Sequence, residues 1–579
     1  MMHFTVTDGE KDISSAAVLP LPEPQCGGAE LYRIIVNADA PRLRIAWTEP
    51  MRGHIAVWTP DCGRNRGLPQ WFHAQKTDAC FFRGAPVLAA VRPDGNTHCV
   101  VSLDDAAVHS SLGYYVDDFS ERDTVVFFAE LFDVGAGYET VLRIDKKSAP
   151  LPQALGDVWR RWTAGIEKAV SLPEDAFAPL YSTWYAFHQD PKQDALTQEL
   201  RLAAGLGFRT VILDDGWQIE GGGTKDYLKS GDWTPAPDKF PDFAGFVQSA
   251  HALGLKLLLW FSVPFVGFET EAYRRFRDKL LYAERGYINA GTLDIRYPDV
   301  REYLVGTYLR FIRDYDIDGL KLDFIDNFRE NEDTPAYNGE MDVPTVSGAV
   351  RKLLEEICAA AVGEKPDFLF EYRQHYVGPE ILRYGNLLRV ADCAFDAVTN
   401  RIGAVDLRMM TRDVAVHSDM LYWSPTETVE NCALQLLNVM FSTPQISVRL
   451  TAAGEEQRRL IGAFLAYHRA NREILTRGEL RASHPESGYS AVSAECAEKN
   501  RRITVLYSDS AARFDGKNED VWNAAGGKTA VIQNEDRVRL SVRVYDCFGT
   551  PLQDFRSDDA AIAVSVPAGG YLNMRRAQD

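Results

Sequence analysis

The chain has 579 residues, 46% of them hydrophobic and 25% charged, a composition that excludes disordered, collagen-like and fibrous classes. A chain of this length should hold about two to four domains. With 63 Lys plus Arg against 82 Asp plus Glu the formal net charge is −19, which disfavours nucleic acid and anionic membrane as partners.

The nine cysteines, at 26, 62, 80, 99, 358, 393, 432, 496 and 547, form no C-x-x-C pair. They are expected to be reduced, mostly buried thiols of an intracellular protein. Met1 to Ala17 has no basic start followed by an apolar core, so no secretory signal is visible. The most apolar stretch, Gly254 to Phe268, contains Lys256 and Pro264 and is too short to span a bilayer. A soluble cytoplasmic protein is expected.

Residues 1–152 show short apolar runs, among them Leu31-Tyr-Arg-Ile-Ile-Val36, Leu43-Arg-Ile-Ala-Trp47, His98-Cys-Val-Val-Ser102 and Thr124-Val-Val-Phe-Phe128. Turn residues separate them, as in Asp8-Gly9, Asp61-Cys-Gly63 and Asp94-Gly-Asn96. Short strands at regular spacing predict an N-terminal β-sandwich.

Residues 173–476 alternate instead. Leu180–Trp184, Thr210–Leu213, Leu255–Trp260, Gly319–Leu322, Phe368–Phe370 and Leu387–Val390 read as buried strands. Helical patterns lie between them at Lys192–Ala204, Phe243–Leu253, Asp299–Tyr315 and Val346–Ala361. This predicts an α/β fold, a (β/α)8 TIM barrel, which typically needs ~250 residues. An open doubly wound sheet competes, but no G-x-G-x-x-G follows the first strand. Strand texture returns over 477–579, in Arg502–Tyr507, Val538–Tyr545 and Ala561–Val566, and predicts a small C-terminal β-sandwich domain.

Barrel enzymes work at the C-terminal ends of their strands. Here those ends carry Asp214-Asp215-Gly216-Trp217, Asp323, Glu371 and Asp392. A single Asp after a strand often does no more than cap a helix. Four strands delivering carboxylates to one rim need another reason, because crowded carboxylates repel. In Gly319-Leu-Lys-Leu-Asp323 alternation places Lys321 and Asp323 on one side, where an ammonium keeps a carboxylate ionised, as a nucleophile requires. Asp214 and Asp215 can accept hydrogen bonds from neighbouring hydroxyls, and Trp217, Trp184, Trp233 and Trp260 offer flat faces or core packing. No metal-ligand spacing, Ser/His/Asp arrangement or phosphate loop occurs, so no metal or cofactor is called for. His375 reads as a satisfied loop histidine.

In order, Leu213-Asp-Asp-Gly-Trp217, Gly231-Asp-Trp-Thr-Pro235, Lys239-Phe-Pro241, Leu293-Asp-Ile-Arg-Tyr-Pro298 and Asp318-Gly-Leu-Lys-Leu-Asp323 resemble the α-galactosidase clan, in particular glycoside hydrolase family 36. The likeness runs from about Leu180 to Leu450 and implies the same three-part architecture. It implies that Asp323 is the nucleophile and that Lys321 binds the sugar beside it. Asp214 and Asp215 would hold the 4- and 6-hydroxyls, and Trp184 would stack on the ring. Asp392, in Arg389-Val-Ala-Asp392, takes the general acid/base position, with Asp396 the second choice and Arg389 in the sugar-binding set.

Two segments depart from the family. Trp260-Phe-Ser-Val-Pro264 stands where W-x-E-P-E is usual, and Glu371-Tyr-Arg-Gln-His-Tyr376 replaces a Cys-containing, Gly-rich segment near the sugar 2-hydroxyl. That leaves Arg373, Gln374 and His375 as donors there. The expectation is a retaining α-galactosidase acting on a small carbohydrate. The alternatives are α-N-acetylgalactosaminidase or another α-glycoside specificity, transglycosylation, and a non-catalytic carbohydrate-binding barrel. A homo-oligomer is left open.

Overall fold

Eight short parallel strands close into a barrel in the computed structural model of the chain, which describes residues 2–8, 16–21, 29–60, 63–119, 123–221, 223 and 226–578. They are Leu180–Ser182, Thr210–Leu213, Lys256–Ser262, Gly319–Asp323, Leu369–Arg373, Leu387–Arg389, Ala415–His417 and Gln445–Ile446. The eighth pairs with the first, and a parallel bridge from His417 to Thr443 closes the ring. The first six occupy the predicted positions. The seventh and eighth, three and two residues long, were not predicted.

Helices Gln193–Leu206, Phe243–Ala252, Pro298–Tyr315 and Val346–Glu364 fill the predicted windows between strands. Gly207 ends the first of these at φ +107, accepting the left-handed turn that returns the chain to the second strand. The strands are buried on both faces: Leu257, Leu258, Leu259 and Phe261 are all shut off from solvent, each contributing ~1.5–3 kcal/mol of burial. Between the third strand and its helix lies a three-stranded excursion, Phe265–Gly267, Leu280–Glu284 and Ala290–Leu293. The Leu293–Pro298 motif follows it; there Asp294 and Arg296 form a buried ion pair at 2.7 Å.

The N-terminal region is two facing antiparallel sheets of five and six strands around Ile34, Leu43, Ile45, Val101, Leu112, Phe127 and Leu142. The Asp94–Asn96 turn joins two of these strands, whereas Gly9, Asp61 and Cys62 of the other expected turns lie outside the described residues. The C-terminal region packs a seven-stranded sheet on a three-stranded one around Ile532, Val542, Ile562 and Leu572. Asp406, on the helix Ala397–Met410, ties the three regions together: it accepts from Trp58 Nε1 at 2.8 Å and also bonds Arg66 and Tyr489. Among the described residues the seven cysteines are free thiols; three are buried and four partly so. No helix among them is long and apolar enough to cross a membrane.

Candidate active site

The barrel register brings together what the sequence scatters. Trp260 lies beside Lys321 and Lys321 beside Glu371, while one step nearer the mouth Ser262 lies beside Asp323. Arg373, Arg389 and His417 line up across the fifth, sixth and seventh strands. A (β/α)8 frame therefore places one polar layer at the C-terminal ends of its strands.

Asp323 ends the fourth strand and is almost wholly buried. Its Oδ1 accepts from the Arg373 guanidinium and from the Phe324 amide at 2.9 Å, and its Oδ2 accepts from Trp260 Nε1 at 3.1 Å. Burial acts to raise its pKa, but Arg373 and Lys321 outweigh that and hold it well below the usual carboxylate range. Arg373 also reaches Asp326 at 3.2 Å and lies over the rings of Phe324 and Tyr376. Arg373 was expected as a free donor toward the sugar; it is instead anchored on Asp323.

Lys321 points the same way as Asp323, but its Nζ bonds Asp214 Oδ2 at 2.7 Å, linking the fourth strand to the second. Neither Asp214 nor Asp215 caps a helix. Asp215 accepts from Gln189 Nε2 at 2.7 Å and Gln218 Nε2 at 2.9 Å, and burial pushes its pKa up to about 6. Gly216 makes this turn possible at φ +106, since a Cβ there would sit 2.4 Å from the Gln189 backbone. Trp217 offers no face to a ligand: it is wholly buried, stacked on Trp233, with its Nε1 on the Trp260 carbonyl.

Asp392 follows the sixth strand. Its carboxylate meets Arg389 Nη1 at 2.8 Å, and its side chain keeps 65% exposure. Burial of the group works upward, yet Arg389 and Lys321 hold its pKa below the ordinary value while Asp323 pushes the other way. The same Arg389 nitrogen binds Asp419 at 2.6 Å; burial raises the pKa of that second, enclosed carboxyl. Asp396 has a different setting. It caps the helix Ala397–Met410 by accepting from the Thr399 amide, and it pairs with Arg64 of the N-terminal sandwich. Trp184, on the turn after the first strand, is half-buried and edge-on to His188.

Glu371 does not reach the rim. It is sealed in the barrel on Gln445 Nε2, and burial lifts its pKa to about 7. Gln374 also turns away from the mouth, its Nε2 on the Pro60 carbonyl at 3.1 Å, and His375 gives its carbonyl to the Gly84 amide at 2.8 Å. Asp326, Asp419 and Tyr185, whose hydroxyl donates to Asp419 at 3.0 Å, were not found from sequence. Asp419 repeats the strand-then-acid pattern as His417-Ser-Asp419, a signal hidden by the brevity of the seventh strand. Among the described residues, no three His, Cys, Asp or Glu groups could hold a metal ion.

Residues 172–372 match the family model described as Melibiase. α-Galactosidase AgaA of Geobacillus stearothermophilus is 31% identical over 133 residues, 22% of this chain and 18% of that protein. α-Galactosidase Mel36A of Lactobacillus acidophilus is 29% identical over 200 residues, 33% of this chain and 26% of that protein. The matches thus span less than a third of the length of these curated relatives. In three dimensions the likeness is wider. The crystal structure of the family 36 α-galactosidase AgaA superposes with a TM-score of 0.64 at 15% identity, covering 99% of this chain and 89% of that one. A variant of AgaA in complex with raffinose gives 0.63 at 16% identity, covering 95% and 80%. The barrel with its flanking β-domains is therefore the fold of those enzymes.

Proposed function

Since the barrel belongs to the melibiase family, in the architecture of glycoside hydrolase family 36, we propose that the chain is a retaining α-galactosidase. The observation that carries this is Asp323. It is a buried carboxylate at the barrel mouth, held ionised by Arg373 and Lys321, and its charge pushes upward the pKa of a second, solvent-reached carboxyl, Asp392. A binding barrel needs hydroxyl acceptors and a stacking face; it has no use for a buried carboxylate held ionised at such cost in desolvation.

In this reading Asp323 Oδ2, which has the single donor Trp260, attacks the anomeric carbon. Asp392 gives its proton to the departing oxygen, and a glycosyl ester forms on Asp323. Water then attacks that ester, Asp392 takes the proton back, and Asp323 leaves as the carboxylate that Arg373 and Lys321 stabilise. Arg389 and Lys321 favour the ionised form of Asp392 in the free protein. A bound glycoside strips water from its exposed side and so raises its pKa, the direction an acid requires. Asp214 and Asp215 accept from the 4- and 6-hydroxyls, with Lys321 oriented on Asp214, and Trp184 covers the ring. Arg373 and Arg389 frame the 2-position and the acid. The free thiols support a reducing, cytoplasmic setting, and the charge of −19 supports a neutral small-molecule partner over nucleic acid.

Aryl α- and β-glycosides varied at C2, C4 and C6 test the reading. Aryl α-galactoside should be turned over, and its 4-epimer, the α-glucoside, far more slowly, because the epimer turns its 4-hydroxyl away and leaves the acceptor built for it unpaired. Asp323→Ala should lose several orders of magnitude while folding normally. Equal cleavage of α-glucosides would refute the role of the Asp pair, and near-normal activity of folded Asp323→Ala would refute the mechanism.

A further inference from the structure

Gln374 is wholly buried, and both ends of its side-chain amide are bonded. Its Nε2 donates to the carbonyl of Pro60 in the N-terminal sandwich at 3.1 Å. Its Oε1 accepts from the amide of Ala391 at 3.3 Å, and its own amide donates to the carbonyl of Arg389 at 2.7 Å. Ala391 and Arg389 flank the approach to Asp392 in the chain, and Arg373, the residue before Gln374, lies on Asp323. One amide side chain thus joins the loop that arms the nucleophile, the loop that carries the acid/base, and a β-domain outside the barrel.

The sandwich grips this region at further points. The Gly84 amide donates to the carbonyl of His375 at 2.8 Å, and a Cβ on Gly378 would lie 3.2 Å from the Gly84 carbonyl oxygen. Arg64 reaches across to Asp396 and, at 3.1 Å, to Thr399, the start of the helix that follows the acid loop. Asp392 itself is mostly exposed, and its carboxylate rests on the buried Arg389 at 2.8 Å. The backbone on either side of it is held by the Ala391 amide on Gln374 Oε1 at 3.3 Å and by the Cys393 amide on Asp419 Oδ2 at 2.8 Å.

We infer that Gln374 is a positioning residue for Asp392, fastening the acid/base loop to the nucleophile's loop against the N-terminal sandwich, which makes that sandwich part of the catalytic apparatus. The inference rests on the retaining-glycosidase reading above. Losing the anchor lets Asp392 wander from the leaving oxygen without disturbing Asp323. A displacement of about 1 Å in such a group costs up to ~100-fold in rate.

The test is a double-mutant cycle on the full chain, using an alkyl α-galactoside, whose leaving group needs a proton, and a nitrophenyl α-galactoside, whose leaving group does not. Gln374→Met, close in shape but without hydrogen bonds, should lower kcat on the alkyl substrate ~10- to 100-fold and on the nitrophenyl substrate much less, with KM little changed. In an Asp392→Ala background the same change should add almost nothing, since positioning an absent acid has no effect. Gln374→Glu keeps an acceptor for the Ala391 amide and should fall between wild type and Gln374→Met; it carries the comparison should Gln374→Met not fold. Equal losses on both substrates, or losses that add to those of Asp392→Ala, would overturn the inference and leave Gln374 a packing residue. Wild-type chain that turns over no glycoside would instead refute the enzymatic reading, and with it this one.

Discussion

Replacing Arg373 by methionine keeps most of the side-chain volume and removes the cation that rests on Asp323. In the native protein burial works to raise the Asp323 pKa, and Arg373 is the largest of the influences that overturn it, ahead of Lys321. An opposite charge this close displaces a carboxyl pKa by about 1–3, worth about 1.4–4 kcal/mol in favour of the carboxylate. The two side chains retain only 17% and 10% exposure, so solvent screens the pair weakly. In the variant, burial stays and the main counter-charge is gone while Lys321 and Arg389 remain, so the Asp323 pKa should rise toward the ordinary carboxylate range. Two consequences separate by sign. The native pair stabilises the fold above the pKa of an unfolded Asp and loses that contribution as pH falls below it. Arg373→Met should therefore be less stable at pH 7 by about 1.4–4 kcal/mol, a gap that closes toward low pH. The acid limb of kcat/KM, set by the need for ionised Asp323, should move upward with it. Nitrophenyl α-galactoside kinetics and thermal melts across pH measure both. A folded, active variant whose acid limb coincides with that of wild type would refute the assignment of Asp323 as the nucleophile that Arg373 holds ionised.

The two acid candidates part on leaving-group dependence: Asp392→Ala should keep activity on nitrophenyl α-galactoside and lose it on alkyl galactosides, while Asp396→Ala should instead lower the melting temperature through its lost helix cap, about 0.5–2 kcal/mol. The reverse pattern in kinetics would exchange their roles. Glu371 supplies a test away from the chemistry. Burial carries its carboxyl from 4.5 to about 7, so the folded chain holds a proton the unfolded chain has lost, and stability should fall as pH rises through that window by roughly 3 kcal/mol. Glu371→Gln should flatten the melting temperature over the same window and exceed wild type above it; an unchanged slope would show that Glu371 is not the buried acid responsible.

Local pattern was enough for most of the barrel. Apolar runs of three to six residues alternating with 3.6-residue periodicity point to strands buried on both faces beneath helices, and six strands and four helices lie where that pattern puts them. The eighth strand escaped because two residues bear no period, and the seventh, Ala415–His417, escaped with it. Asp419 escaped with them.

At the site, the sequence determined part of what reaches the barrel mouth: strand alternation sends Lys321 and Asp323 inward together, and the D-D-G-W turn places two carboxylates beside a glycine that its left-handed turn requires. Partnership was decided by the tertiary structure alone. Lys321 binds Asp214, 107 positions away, and Arg373 reaches 50 positions back to Asp323, because parallel register brings the ends of different strands to one level. The same closure buried Trp217, Glu371 and Gln374, which read from sequence as rim residues, and left Asp392 open to solvent. Whether a polar side chain meets substrate or core depends on which neighbour fills the space beside it, and that neighbour is set by strand order and register, which no local stretch of chain encodes.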